Sequence, residues 1–347
     1  MLATNTKSEI SSVQVPPLAL GWKEIVDPIQ PFLDQVAAKL VDQVRGFEPE
    51  IASYASYALT NQGKQLRPVL VALSGAALGK LNDSLVTVAT IIEMVHLATL
   101  VHDDVMDSAE LRRRRPTLAA SWGNQTSVLV GDCLFAQAVR LAASFPTPDV
   151  CRAVAAATNR VCSGEIIQTQ QRQNCNLGRE EYFRILEMKT AELFALACEL
   201  GASLAGGTPA QCDALRRYGI ALGTAYQIYD DCLDLFGTET LVGKSLGTDL
   251  VSGKLTLPLL VVFERGDAAD KTQLRELITH WDLKLVPRLL VLLERYDALG
   301  ESSSAVHRYL DAARASLRPL PHSRSGEALS MLTELLTQQT DSLGVAM

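Results

Sequence analysis

SLVTVATIIEMVHLATLVHDDVMD, residues 84–107, decides how this chain is read. Its apolar side chains recur at helical spacing, and it runs far past the length of a strand, so it is a helix. It ends in acid. Counting back from Asp103, the residues His96, Thr99, Asp103 and Asp107 fall three, four and four apart, which puts them on one stripe. Asp103 and Asp107 are therefore i,i+4 neighbours, with Asp104 beside them. Like charges so placed repel by roughly 0.2–0.5 kcal/mol per pair when exposed, and by more where water is excluded. Something must compensate. A hard divalent cation bound by carboxylate oxygens would do so, and Mg²⁺ characteristically takes one or two carboxylates together with substrate phosphates.

Outward from this helix the pattern stays helical, from Trp22 almost without interruption. RRYGIALGTAYQIYDDCLDLF (216–236) is a second long periodic segment, and NQG (61–63), FPTPD (145–149), NLG (176–178) and GGTP (206–209) punctuate the chain. Alternating strands and an Asn-Gly hairpin signal are absent. The expected fold is all-α: one large helical bundle over 21–347, behind a flexible tail at 1–20 that ends in VPPLAL. With 48% hydrophobic and 20% charged residues, a sizeable core can form and disorder is excluded. A net charge of −7 argues against nucleic acid as a partner. Seven cysteines, without CxxC pairs, suit a reducing compartment. No apolar run approaches the length that spans a bilayer, and MLATNTKSEI lacks the layout of a secretory signal, so a cytoplasmic location is expected.

A lone DDxxD is more often a solvated helix end than a metal site. Here the pattern occurs twice: residues 230–234 read DDCLD, with Asp230, Asp231 and Asp234 closing another apolar helix. Two carboxylate triplets on separate helices point to facing metal sites, and metals held between them need an anionic ligand, most simply a diphosphate. Cations follow. Arg112 to Arg115 lie one or two helical turns beyond Asp107, and the planar fork of arginine suits phosphate oxygens. Alone, such a run is more often a solvated face; beside the acidic cluster it reads as a ligand site. GKQLRP (63–68) adds Lys64 and Arg67, LEMKTAEL adds Lys189 with Thr190, and GKSLGTDLVSGKLTLP adds Lys244, Asp249 and Lys254. Together they provide charge enough for two diphosphates.

From GKQLRP at 63 to GKLTLP at 258, these residues resemble the trans-isoprenyl diphosphate synthases, the polyprenyl synthetase family, most of all its octaprenyl and solanesyl types. The resemblance implies an isoprenoid synthase fold, a helical bundle around a deep central cavity, usually as a homodimer, and a need for Mg²⁺. Asp103 and Asp107 would bind two Mg²⁺ ions and Asp230 a third, supported by Asp104, Asp231 and Asp234. Arg112, Lys189, Lys244 and Lys254 would hold an allylic diphosphate. Lys64, Arg67, His96 and Arg113 would hold the diphosphate of isopentenyl diphosphate, and Thr190 and Gln227 would line the reacting groups. A lone histidine in so apolar a helix is usually a core residue; for His96 the family correspondence favours the ligand. Three departures stand out: Gln62 and Gln65 replace a glycine and an arginine of GGKR, Arg114 stands where LRRGRPT has glycine, and Thr248 replaces the first aspartate of a common GDD.

In this family, aromatics four or five residues before the first aspartate block the tunnel into which the product grows. Here those positions are Thr99 and Ala98, both small, so a product longer than geranylgeranyl diphosphate is expected, with Phe135 or Met94 as candidate floors. The expected reaction is a head-to-tail condensation giving a long-chain all-trans polyprenyl diphosphate, a quinone side-chain precursor. A short-chain synthase and a catalytic subunit of a heteromeric synthase are the nearest alternatives. A terpene cyclase would lack the cations Lys64, Arg67 and His96 and the second aspartate triplet. A partner subunit would lack one triplet, and a pure phosphate-binding scaffold explains the two triplets least.

Overall fold

A computed structural model describes residues 17–60, 63–237 and 246–344. The chain folds as helices in the order α1 (Pro17–Val26), α2 (Gln30–Arg45), α3 (Pro49–Leu59), α4 (Leu66–Leu78) and α5 (Asp83–Met106). A two-stranded ribbon follows, β1 (Leu111–Arg112) and β2 (Arg115–Pro116), antiparallel with Arg112 opposite Arg115. Then come α6 (Leu118–Trp122), α7 (Asn124–Ala143), α8 (Asp149–Gln170) and α9 (Arg179–Leu186). A π-helical turn (Glu187–Ala191) joins α9 to α10 (Glu192–Leu204), and α11 (Pro209–Phe236) ends in the second aspartate triplet. The remainder is α12 (Thr248–Val251), α13 (Leu257–Arg265), α14 (Ala268–Thr279), α15 (Val286–Arg295), α16 (Ala298–Ser316) and α17 (Arg324–Asp341). The first helix begins at Pro17, so the last four residues of the expected tail are helical; residues 1–16 lie outside those described.

Local sequence explains where the two aspartate-bearing helices start. Asn82 caps α5 by accepting from the Leu85 N–H. Thr208 and Gln211 form a reciprocal capping box at the head of α11, with Pro209 in the first turn, where its missing N–H costs nothing. One cluster of buried apolar residues runs from Ile25 to Leu343. Inside it α5 is buried nearly all round: Leu85, Val88, Ile91, Ile92 and Met94 are sealed from solvent. It packs on α4, α7 and α10, and α10 in turn packs on α11. Both triplets thus emerge from the C-terminal ends of helices rooted in the core.

One sequence expectation needs correcting here. Asp83–Met106 and Asn124–Ala143 are each long and apolar enough to cross a bilayer. Of the apolar window in α5, 72% is buried inside the fold, so its side chains already have protein partners; for α7 the share is 39%.

Candidate active site

The helix α5 stops at Met106 and Asp107 caps it, its N–H bonded to the Asp103 carbonyl at 2.8 Å. Asp103 and Asp104 therefore occupy the last turn, where the helix dipole is negative and carboxylates are unwelcome. Cations answer each in turn. Arg112 Nε donates to Asp104 Oδ1 at 2.8 Å. Asp107 is gripped on both oxygens, Oδ1 by Arg172 Nη2 at 2.8 Å and Oδ2 by Lys254 Nζ at 2.7 Å. Asp103 has Lys189, Arg112 and Lys254 among its charged neighbours.

The arginines do not continue the helix, as their spacing had implied. They form the ribbon β1–β2, with Arg113 (φ 51°) and Arg114 (φ 63°) as its two turn residues. Two residues of positive φ give the turn whose twist matches paired strands, which is why glycine or asparagine is the usual signal and why its absence hid the hairpin. Thr117 ties the base, donating to the Ala109 carbonyl at 2.7 Å and capping α6. Arg115 turns to Thr60 at the C-terminal end of α3, its Nη1 donating to Oγ1 at 2.8 Å. Arg112 and Arg113 are left facing the acidic end and the GKQLRP loop. The loop accommodates them closely: a Cβ on Gly63 would collide with the Arg113 guanidinium.

Burial sets the charge states. It pushes the Asp103 carboxyl up to about 6, against the pull of Lys189. It raises Asp104 too, outweighing the bond from Arg112. At Asp107 burial is outweighed by Lys254, Lys189 and Arg172, and the carboxyl lies below its ordinary range. His96 is held well below its usual value by burial and by Arg67, Arg112 and Arg113, so near neutral pH it is an uncharged imidazole rather than the cation its grouping with Lys64 and Arg67 suggested. Arg67 stacks over the Phe194 ring at 5.0 Å, and its buried Nε has no hydrogen-bond acceptor. Glu93, one turn before His96 and 3% exposed, is a counter-charge for Arg67, which burial pushes below its ordinary value. Lys64 lies 5.7 Å from the ring centroid of Trp22 on α1.

The second triplet is divided by function. Asp230 is exposed. Asp231 is buried, accepting from Tyr182 Oη at 2.6 Å and Gln227 Nε2 at 2.8 Å; burial and Asp249 raise its carboxyl well above the ordinary range. Gln227 Oε1 in turn accepts from Thr190 Oγ1 at 2.9 Å, so a continuous chain links the π turn to the triplet. Asp234 holds the start of α12, taking Thr248 Oγ1 at 2.7 Å and the Asp249 N–H at 3.0 Å. Thr248, in place of an aspartate, thus serves the loop. Within the π turn, a form common at functional sites, Lys189 pairs with Glu165 and donates to Gln168 Oε1 at 2.8 Å.

The structure therefore gathers Asp103, Asp104, Asp107, Arg112, Lys189 and Lys254 at one point, with His96, Arg67 and Arg113 alongside. Arg112 acts on both groups. Lys244 and Gln62 lie outside the described residues. Glu93, Glu165, Gln168, Arg172 and Tyr182 join the site without having been singled out from sequence. Glu93 had a signal, as the one acid inside ATIIEMVH and on the His96 face. Arg172 had none.

Among the described residues, no three acidic, imidazole or thiol groups stand close enough to chelate an ion as they are. The donors nonetheless fit one. Asp103 is a half-buried carboxylate that desolvation has made reluctant to ionise, and an oxygen-seeking cation is what would reverse that. Of the two positions expected to limit growth, Ala98 is sealed in the core and Thr99 is half-buried, its Oγ1 donating to the His96 carbonyl at 2.7 Å. Met94 lies buried one turn below Ala98, as a floor would. Phe135 does not: its ring centroid is 5.7 Å from that of His102, at the level of the aspartates.

Comparison with known proteins agrees with this geometry. Residues 48–286 match the family model described as polyprenyl synthetase. An octaprenyl diphosphate synthase of Haemophilus influenzae is 34% identical over 89% of this chain and 96% of its own length. A short chain isoprenyl diphosphate synthase of Methanothermobacter thermautotrophicus is 31% identical over 91% and 99%. The crystal structure of a polyprenyl synthase from Caulobacter crescentus, complexed with calcium and isoprenyl diphosphate, superposes with a TM-score of 0.86 at 33% identity, covering 91% of this chain and 97% of that one. The aspartate triplets, the cations between them and the helical frame are those of a prenyltransferase, and the chain belongs to the polyprenyl synthetase family.

Proposed function

We propose that the protein condenses isopentenyl diphosphate with an allylic diphosphate, head to tail, and repeats the step to a long-chain all-trans polyprenyl diphosphate of the kind that supplies quinone side chains. The observation that carries the reading is the convergence of Lys189, Arg112 and Lys254 on Asp103, a half-buried carboxylate poised for a cation. Asp103, Asp107 and Asp230 would hold Mg²⁺, three ions in the substrate complex, which draw charge from the departing diphosphate when bound. Arg112, Lys189 and Lys254 hold that diphosphate; Lys244 joins them on the resemblance alone. Their preorganised charge favours ionisation of the allylic carbon–oxygen bond, because it meets negative charge as it develops. Lys64, Arg67 and Arg113 bind the diphosphate of isopentenyl diphosphate, with neutral His96 as a hydrogen-bond donor. Held there, the double bond is aimed at the allylic carbon. Thr190 and Gln227 line the reacting groups. The released diphosphate takes the proton.

Small Ala98 and Thr99 support the long product, as does the octaprenyl relative; the short chain relative is the reason a shorter product stays the second reading. Exposed Val128, Leu129 and Val139 on α7 suit a homodimer face. Seven free cysteines suit a reducing compartment such as the cytoplasm. The test is purified protein with Mg²⁺, labelled isopentenyl diphosphate and farnesyl diphosphate, with the dephosphorylated products sized by chromatography. One long polyprenol is expected. Arrest at geranylgeraniol would overturn the chain length and keep the reaction; no turnover with any allylic primer would overturn the reading of the protein as active by itself.

A further inference from the structure

Arg172 belongs to none of the groups assigned above to substrate, yet it is bonded to a carboxylate at the centre of the site. Its Nη2 donates to Asp107 Oδ1 at 2.8 Å, while Lys254 holds the other oxygen at 2.7 Å. The two cations come from different loops that are fastened together. The Gln173 N–H donates to the Gly253 carbonyl at 2.8 Å, so residues 172–173 and 253–254 run side by side above Asp107. The fastening has a cost: Gln173 sits at φ 59°, a region that side chains with a Cβ rarely adopt, beside Gly253 at φ 74°. Strain of this kind persists where the surroundings impose it, and here it delivers two charges to one point.

Arg172 is also equipped to change partners. Its side chain is 27% exposed and that of Asp107 25%, so the pair borders the open side of the site. Its buried Nε has no acceptor, so the guanidinium does not use all of its donors. We propose that Arg172 is a further diphosphate-binding residue of the allylic site, parked on Asp107 until metal and diphosphate arrive together. The proposal rests on the function proposed above. When a metal takes the oxygens of Asp107, Arg172 and Lys254 lose their counter-ion beside the positive charge of Lys189. The incoming diphosphate is the anion that replaces it. Lys254 already has that role in the function proposed above, and Arg172, carried on the adjoining loop and bonded to the other oxygen of Asp107, shares it. The planar guanidinium fork suits two phosphate oxygens better than an ammonium does.

The test is calorimetry of the whole protein with inorganic pyrophosphate in excess Mg²⁺, and separately with Mn²⁺ alone, for wild type, Arg172→Gln and Arg172→Lys. Arg172→Gln is expected to bind pyrophosphate about tenfold or more weakly, by loss of a charge-assisted contact. Arg172→Lys should recover part of that loss. Mn²⁺ alone should bind Arg172→Gln no more weakly than wild type, because a competitor for Asp107 has gone. The KM for the allylic substrate should rise in step. Pyrophosphate binding within twofold of wild type would overturn the proposal. So would an equal loss for Mn²⁺ and pyrophosphate, which marks a merely structural arginine. If wild type itself does not bind pyrophosphate with Mg²⁺, the underlying functional reading falls and takes the proposal with it.

Discussion

Asp103 shows what a desolvated carboxylate costs its own fold. Burial lifts its carboxyl to about 6, against an ordinary 3.8. Above pH 6 it is ionised in both folded and unfolded chains, and the folded state bears the full penalty. Below about pH 4 it is neutral in both and the penalty is gone, so this group makes stability fall as pH rises between those limits. Asp103→Asn should therefore raise the melting temperature of the ligand-free protein at pH 8, by about 1–2 kcal/mol once solvent screening is allowed for, and leave it unchanged near pH 4. Turnover should be lost at both. Thermal melts at the two pH values check this, and a destabilised variant at pH 8 would contradict it. The aspartates were legible in the sequence because repeated like charge on a helix end is unfavourable unless something binds there. Two of their protein partners, Arg172 and Tyr182, were not. Arg172 meets Asp107 across 65 positions, and Tyr182 meets Asp231 across 49, and no local pattern marks either encounter.

Among elements, α5 and α11 were readable from periodicity and length, since a buried helix keeps its apolar spacing for many turns. The ribbon β1–β2 was not, because two strands of two residues carry no period and the turn is built from arginines. That turn has a testable consequence. Arg114 at φ 63° carries the backbone penalty of a left-handed residue, about 1 kcal/mol, partly offset by the freedom glycine gains in the unfolded chain. Arg114→Gly should leave the melting temperature level or slightly higher, whereas β-branched Arg114→Val should lower stability by about 1 kcal/mol or more. Equal melts for the two variants would show that the turn relaxes. On α5, burial separates Ala98 from Thr99, the two positions proposed to set product length. Ala98 is sealed, so Ala98→Phe overpacks the core at a cost of about 1–3 kcal/mol; Thr99 is half-buried and has room to give. Both variants should shorten the product, with Thr99→Phe the more stable of the two. Product sizing and melts on the same preparations test this, and an unshortened product in Thr99→Phe would remove that residue from the growth path.

At the scale of the molecule, an apolar mass from Ile25 to Leu343 roots the helix α5, and the charged residues around its C-terminal end are paired with one another. Asp104 is paired with Arg112, Asp107 with Arg172 and Lys254, and Lys189 with Glu165. Within these pairs the cations and carboxylates occupy one another, so metal and diphosphate must displace them together. Either alone leaves a charge without a partner in a partly desolvated place, which is costly. The two ligands should therefore bind cooperatively, each raising the affinity of the other by the same factor. Melting temperature is the direct readout. A ligand at a hundred times its dissociation constant stabilises by about 2.7 kcal/mol, which for a chain of this size is a shift of roughly 2–4 °C. Mg²⁺ with pyrophosphate should reach or exceed that shift, and EDTA should abolish it. Mg²⁺ alone or pyrophosphate alone should give much less, and their separate shifts should sum to well below the joint one. Additive shifts would mean that the carboxylates and the cations are occupied independently, and that the pairing seen between them is no obstacle to either ligand.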